Sequence, residues 1–299
     1  MIVTHFPDAV ARPRSVAVGT FDGVHLGHRE VIKGADTVLT FEPHPRTVID
    51  PTGAPRLLTT LERKAELIAE LGVEELVVIG FDTAFSAYDA EAFHDDVLVD
   101  RLGAAHVSVG ENFRYGARAQ GDTERLEADG RFAVRVVPLL EVDGEVVSSS
   151  HIRGLIAGGA LEYAGELLGA PYSMTGEVVH GDARGRTLGY PTANLVPNPG
   201  FVSPAHGVYA CRVHLPGTDA PVAAATNVGV RPQFVTGRGE LVEAFLIDWS
   251  GDIYGQVVRV DFLKRLRGEK RFGSVEMLLE QMARDVEDAR GLASLPGRQ

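Results

Sequence analysis

Up to residue 170 the chain alternates short apolar runs with segments whose apolar positions recur at helical spacing. Ser15-Val16-Ala17-Val18 reads as a buried strand, and a helical pattern begins at Arg29-Glu30-Val31-Ile32. Leu76-Val77-Val78-Ile79 follows a helical stretch over 61–71, and His106-Val107-Ser108-Val109 follows another over 90–102. Strands separated by helices predict βαβ units and a parallel sheet, with ligands bound beyond the carboxyl ends of the strands. Gly158, Gly159 and Gly169 bracket a short helix carrying Leu161, Leu167 and Leu168, which places a domain boundary there and predicts domains 1–170 and 171–299.

From Tyr172 the pattern turns β-rich, with runs at 175–179, 208–215, 222–228, 241–248 and 257–263 separated by turns containing Gly and Pro. This predicts a small antiparallel barrel. A last helix over 274–289 has Ser274 as N-cap and a Leu278, Met282, Val286 stripe expected in the core, and residues 291–299 read as disordered. The expected fold class is α/β plus β, a Rossmann-like parallel sheet followed by a barrel and a helix.

Composition narrows the chemistry. The 299 residues carry 29 Lys and Arg against 41 Asp and Glu, a net charge of −12. That disfavours nucleic acid or an anionic membrane as the main partner and confines any phosphate site to a local pocket. No apolar run of about 18 residues occurs, and MIVTHFPDAV lacks the regions of a signal peptide, so a cytoplasmic location is expected. The single cysteine, Cys211 in VYACRV, reads as a buried strand residue. GxxxxGK[ST], GxGxxG and HExxH are absent, which removes Walker, dinucleotide-binding and zincin readings.

The candidate chemistry lies in GTFDGVHLGH, Gly19 to His28, at a strand-to-helix turn. His25 and His28 share a face there, Gly27 lets backbone approach a ligand, and a helix N-terminus offers N–H donors to phosphate. A second cluster, SSSHIRG, supplies Ser149, Ser150 and Arg153, whose hydroxyls and guanidinium can hold phosphate oxygens. The two together resemble the nucleotidylyltransferase superfamily.

VAVGTFDGVHLGH, LTFEPHPR, LLTTLERKAELIAELGV, VGENFRYG and SSSHIR occur in the order of bacterial bifunctional riboflavin kinase/FMN adenylyltransferase, also called FAD synthetase. The resemblance implies that the first half joins FMN to the AMP part of ATP and releases pyrophosphate. It implies that His25 and His28 contact ATP phosphates, that Ser149, Ser150 and Arg153 hold the pyrophosphate side, and that Gly19, Phe21 and Asn112 line the site. One departure stands out. Between His28 and FEPHP the chain has only REVIKGADTVLT, shorter than usual by about a dozen residues, enough for two helical turns.

In the second half GYPTAN follows the loop HGDARGRTLG, and with PAHGVYA, NVGVRP and LVEAFLIDWSGDIYG it resembles the riboflavin kinase barrel of the same family. That implies phosphoryl transfer from ATP to riboflavin. Gly181 and Arg186 would meet nucleotide phosphates, Thr192 and Asn194 would position Mg²⁺, and Glu243 would act as general base. Ala244-Phe245 replaces a more polar pair, which implies altered flavin affinity. The implied partners are the small molecules riboflavin, FMN and ATP, with a homo-oligomer possible. A kinase whose first half is only a scaffold, and a flavin or nucleotide sensor without turnover, are the alternative readings.

Overall fold

The computed structural model describes residues 1–180, 190–230 and 240–294. The chain divides into two compact units, Met1–Ser149 and Ser150–Gln299.

The first unit is built on a six-stranded, all-parallel sheet in the order β1-β4-β3-β2-β5-β6. The strands are β1 (Ile2–His5), β2 (Arg14–Val18), β3 (Thr37–Glu42), β4 (Glu75–Gly80), β5 (Ala104–Gly110) and β6 (Ala133–Val137), and a small hairpin of β7 (Glu141–Val142) and β8 (Glu145–Val146) follows. A parallel sheet is covered on both faces, so its strands are nearly continuous apolar runs. Val16, Val18, Leu39, Val77, Ile79, Val107 and Val109 are accordingly buried, each contributing about 2 kcal/mol by leaving water. After β2 the chain builds outward through β3 and β4, then returns to the other side of β2 for β5 and β6. This reversal puts a topological switch point between β2 and β5, where open sheets of this kind bind ligands.

The helices of this unit are α1 (Leu26–Ile32), α2 (Pro45–Ile49), α3 (Leu61–Ala69), α4 (Ala90–Ala92, continued as a π-helix over Phe93–Arg101) and α5 (Thr123–Ala128). Thr60 caps α3 by accepting from the Arg63 N–H at 3.2 Å. α1 starts three residues before the periodic pattern suggests, because Leu26 and Gly27 form its first turn, and it has only seven residues, the two turns expected.

Ser149 ends the first unit as the first residue of α6 (Ser149–Gly158), and the second unit runs from Ser150 through the rest of α6 and α7 (Leu161–Leu168) into a closed antiparallel barrel, β10-β13-β12-β11-β14-β9. Its strands are β9 (Tyr172–Val179), β10 (Thr192–Pro197), β11 (Gly207–His214), β12 (Val222–Val230), β13 (Glu240–Leu246) and β14 (Val257–Arg267). The unit begins some twenty residues before the sequence-derived boundary at 170 because α7 packs on β9 and β14, and the Ala205 N–H donates to Ile156 O at 3.3 Å.

Alternation sorts the barrel residues: Val242, Ala244, Val258, Val260 and Phe262 are buried. Cys211 is also buried, as expected, and burial pushes its thiol up. The last helix spans Val275–Ala293 and Ser274 caps it, accepting from the Met277 N–H at 3.3 Å. Its stripe enters the core only at the far end: Val286 and Ala289 are buried on the barrel while Leu278 and Met282 are half-buried. Gly291 to Ala293, expected to be disordered, extend this helix, because the Arg212 guanidinium on β11 donates to Ala293 O at 3.1 Å.

Candidate active sites

In the first unit, β2 runs into the turn that carries GTFDGVHLGH. The Gly19 N–H donates to Leu39 O at 3.1 Å, and a Cβ on Gly19 would stand 2.9 Å from the Phe21 ring, so only glycine fits. Phe21 and Val24 adopt φ of 48° and 44°, left-handed conformations that cost about 1–3 kcal/mol outside glycine. Neighbouring groups hold the turn in that shape. The buried Asp22 carboxylate accepts from the N–H groups of Leu58 (2.9 Å) and Thr59 (3.2 Å), the Gly23 N–H donates to Thr59 Oγ1 at 3.1 Å, and the Ser149 hydroxyl donates to Asp22 O at 3.0 Å.

His25 is the N-cap of α1, and its Nδ1 accepts from the His28 N–H at 3.3 Å. A neutral imidazole that accepts at Nδ1 carries its proton on Nε2, the tautomer able to donate to a phosphate oxygen. The His25 and His28 rings stack at 3.5 Å, and Phe21 meets His28 edge-on at 5.4 Å. Gly27 lies against this pair, and a Cβ there would stand 3.3 Å from His25 Cε1, a tight contact. Phe21 itself is buried at 2% exposure, so its side chain supports His28 from behind instead of lining the site.

Beneath the turn lies a charge that sequence reasoning missed. Lys64, on α3, is buried with Nζ 3.4 Å from Thr40 Oγ1, and the Asp22 and Glu42 carboxylates attract it. Burial pushes the Lys64 ammonium below its ordinary range and the Glu42 carboxyl above its own. The signal was present in the sequence. Lys64 occupies an apolar-face position, three and four residues before the buried Leu67 and Ile68.

β5 lies beside β2, so the turn after β5 leaves the sheet next to the histidine turn. Asn112 is exposed on it, and the backbone closes the turn, the Phe113 N–H donating to Gly110 O at 2.9 Å. Three buried side chains anchor this loop: Tyr115 Oη meets His94 Nε2 at 2.5 Å, and His94 Nδ1 meets Asp129 Oδ2 at 2.6 Å. Arg131 donates twice to Asp129, at 2.7 Å each, and these bonds, with His94, hold the carboxyl well below the usual carboxylate range. A carboxylate lowered on folding stabilises the fold above its unfolded pKa and loses that contribution as pH falls through the folded value. Asp129→Asn is therefore expected to lower stability by about 2 kcal/mol at neutral pH, with the gap from the parent shrinking towards pH 3. Urea midpoints across pH check it.

Ser149 is the first residue of α6, and the exposed Ser150 and half-buried Arg153 follow in its first turn. Ser149 to Gly154 of the SSSHIRG cluster thus lie within the helix, and Ser148 precedes it.

In the second unit the barrel register composes a site. Asn194 on β10 is the direct partner of Glu243 on β13, which is the direct partner of Asn227 on β12. Directly paired residues present side chains on the same face, so an amide, a carboxylate and a second amide stand in a row. Asn227 Nδ2 donates to Glu243 Oε2 at 3.3 Å. Thr192 precedes Asn194 by two residues and shares its face, with the buried Ala193 and Leu195 on the other. Within PTAN, Thr192, Ala193 and Asn194 thus open strand β10. Asn194 donates through Nδ2 to Thr192 O at 3.2 Å, and its buried Oδ1 has no hydrogen-bond partner among the described residues.

Ala244 is buried, and Phe245, the direct partner of Thr192 on the Glu243 face, packs edge-on to Tyr190 at 5.1 Å. Gly181 and Arg186 lie outside the described residues. Asn227 was quoted within NVGVRP without a role, and only the register reveals it.

Comparison with known proteins agrees with this arrangement. The family model for FAD synthetase matches residues 8–151 and that for riboflavin kinase matches residues 168–293. A bifunctional riboflavin kinase/FMN adenylyltransferase of Listeria monocytogenes is 39% identical over 289 residues, covering 92% of this chain and 91% of that protein. The protein of the same description from Escherichia coli K12 is 38% identical over 288 residues, with 92% and 91% covered. A crystal structure described as a macrolide-efflux protein from Streptococcus pneumoniae superposes with a TM-score of 0.86 at 32% identity, covering 97% of this chain and 99% of that one. Among the described residues no helix is long and apolar enough to cross a membrane. With both halves matched and relatives covered almost end to end, the chain belongs to the bifunctional riboflavin kinase/FMN adenylyltransferase family.

Proposed function

We propose that this protein phosphorylates riboflavin to FMN in residues 171–299 and adenylylates FMN to FAD in residues 1–170, consuming ATP in both steps. The kinase-only and sensor readings are not favoured, since both family models are matched and both sites keep their side chains. The observation that carries the proposal is the Asn194–Glu243–Asn227 row together with the stacked His25–His28 pair.

For phosphoryl transfer, Glu243 accepts the proton of the ribityl 5′-hydroxyl as that oxygen attacks the γ-phosphate and the bond to the β-phosphate breaks to release ADP, and Asn227 keeps the carboxylate oriented. Thr192 and Asn194 would hold Mg²⁺. The buried Asn194 Oδ1 suits this role, because an amide oxygen is a hard donor fitted to that ion. When bound, Mg²⁺ neutralises charge on the ATP phosphates. Gly181 and Arg186 complete the nucleotide side by resemblance.

For adenylyl transfer no protein nucleophile is needed, because the FMN phosphate attacks the α-phosphate directly. His25 and His28 donate to phosphate oxygens as charge develops. Two helical turns provide little dipole, so the imidazoles carry the stabilisation. Gly19 and Phe21 shape the turn, Asn112 lines the flavin side, and by resemblance Ser149, Ser150 and Arg153 take the departing pyrophosphate. A cytoplasmic location fits these substrates.

The metal assignment is tested with Asn194→Ala. The variant should need about tenfold more Mg²⁺ for half-maximal FMN formation, with FAD formation from FMN unaltered. An unchanged Mg²⁺ requirement would remove Asn194 from the metal site.

A further inference from the structure

Seven residues do not hold a helix by themselves. α1 is about 10 Å long, so rocking at one end displaces the histidines at the other. Its stability depends on the carbonyls of the last turn, which lack partners within the helix. Here all four are satisfied. Ile32 O accepts from the Ala35 N–H at 2.9 Å, and Val31 O accepts from the buried Ser108 hydroxyl at 2.7 Å. Glu30 O and Lys33 O accept from the two terminal nitrogens of Arg135, at 3.1 and 2.7 Å. Ser108 on β5 and Arg135 on β6 are direct cross-strand partners, so one rung of the sheet supplies three of the bonds that end α1. A guanidinium also suits the negative end of a helix.

We propose that Ser108 and Arg135 are positioning residues for adenylyl transfer. They close the carboxyl end of α1 and thereby fix His25 and His28 at its amino end, in place of the longer helix that the resemblance leads one to expect. The inference rests on assigning adenylyl transfer to the histidine turn.

The test uses the full chain with Arg135→Ala, Arg135→Lys and Ser108→Ala, reading hydrogen exchange of the α1 amides, FAD formation from FMN and ATP, and riboflavin phosphorylation in the same samples. Arg135 is exposed on an edge strand, so its variants are expected to fold. In Arg135→Ala, exchange at Arg29 and Lys33 should accelerate about tenfold and kcat for FAD formation should fall about tenfold, with kinase activity within about twofold of the parent. Arg135→Lys should recover part of both, since one ammonium can still reach Lys33 O. Ser108→Ala should resemble Arg135→Ala, because it leaves Val31 O buried without its donor. Unchanged α1 exchange in Arg135→Ala would overturn the proposal, as would equal acceleration throughout β2 and β5, which is general loosening. Should the parent form no FAD, the functional assignment fails instead, and α1 exchange alone decides the clamp.

Discussion

With Glu243 replaced by alanine, FMN formation from riboflavin is expected to slow by about two to four orders of magnitude, the usual contribution of a positioned general base. The loss should fall on kcat, because the carboxylate acts on the proton that moves in the transition state. Little structural damage is expected, since Glu243 is half-buried on the face opposite the buried Val242 and Ala244. Conversion of supplied FMN to FAD should continue at the parent rate. Initial rates for each flavin product, measured separately, check both statements. Loss of both activities in a folded protein would contradict the two-site assignment.

His28→Ala is the mirror case. FAD formation from FMN should fall by about two to three orders of magnitude, the scale for removing a donor aimed at developing charge. Riboflavin phosphorylation should be unaffected. The His28 ring stacks on His25 at 3.5 Å and meets Phe21 edge-on, so alanine also removes the contact that orients His25. His28→Asn, which restores a donor without the ring, should recover only part of the rate. Pyrophosphate release coupled to FAD absorbance measures it.

The sequence is legible where the physics is local. β2, β4 and β5 lie where four-residue apolar runs placed them, and Ser274 caps the last helix as its position before an amphipathic run suggests. His25 and His28 fall on the cap and first turn of a helix, as their spacing implied. What stayed hidden depends on register or burial. Asn194, Asn227 and Glu243 are distant in sequence and meet only because β10, β13 and β12 pair in one register. The strand Thr192–Pro197 is missing from the apolar runs of the sequence because the polar Thr192 and Asn194 interrupt the pattern, yet barrel closure draws the segment into the sheet. Phe21 lies inside the phosphate motif GTFDGVHLGH, but its backbone is left-handed and its ring is buried in the core. Ser108 and Arg135 gave no motif at all, because a clamp made across two strands leaves no pattern along either.

The central claim is that one chain carries riboflavin through FMN to FAD. The most direct measurement is a time course of the flavin products after purified protein is mixed with riboflavin and Mg-ATP. FMN should rise first and FAD should follow as FMN is consumed, with one pyrophosphate released per FAD. A course that stops at FMN, or shows no phosphorylated flavin, would contradict it.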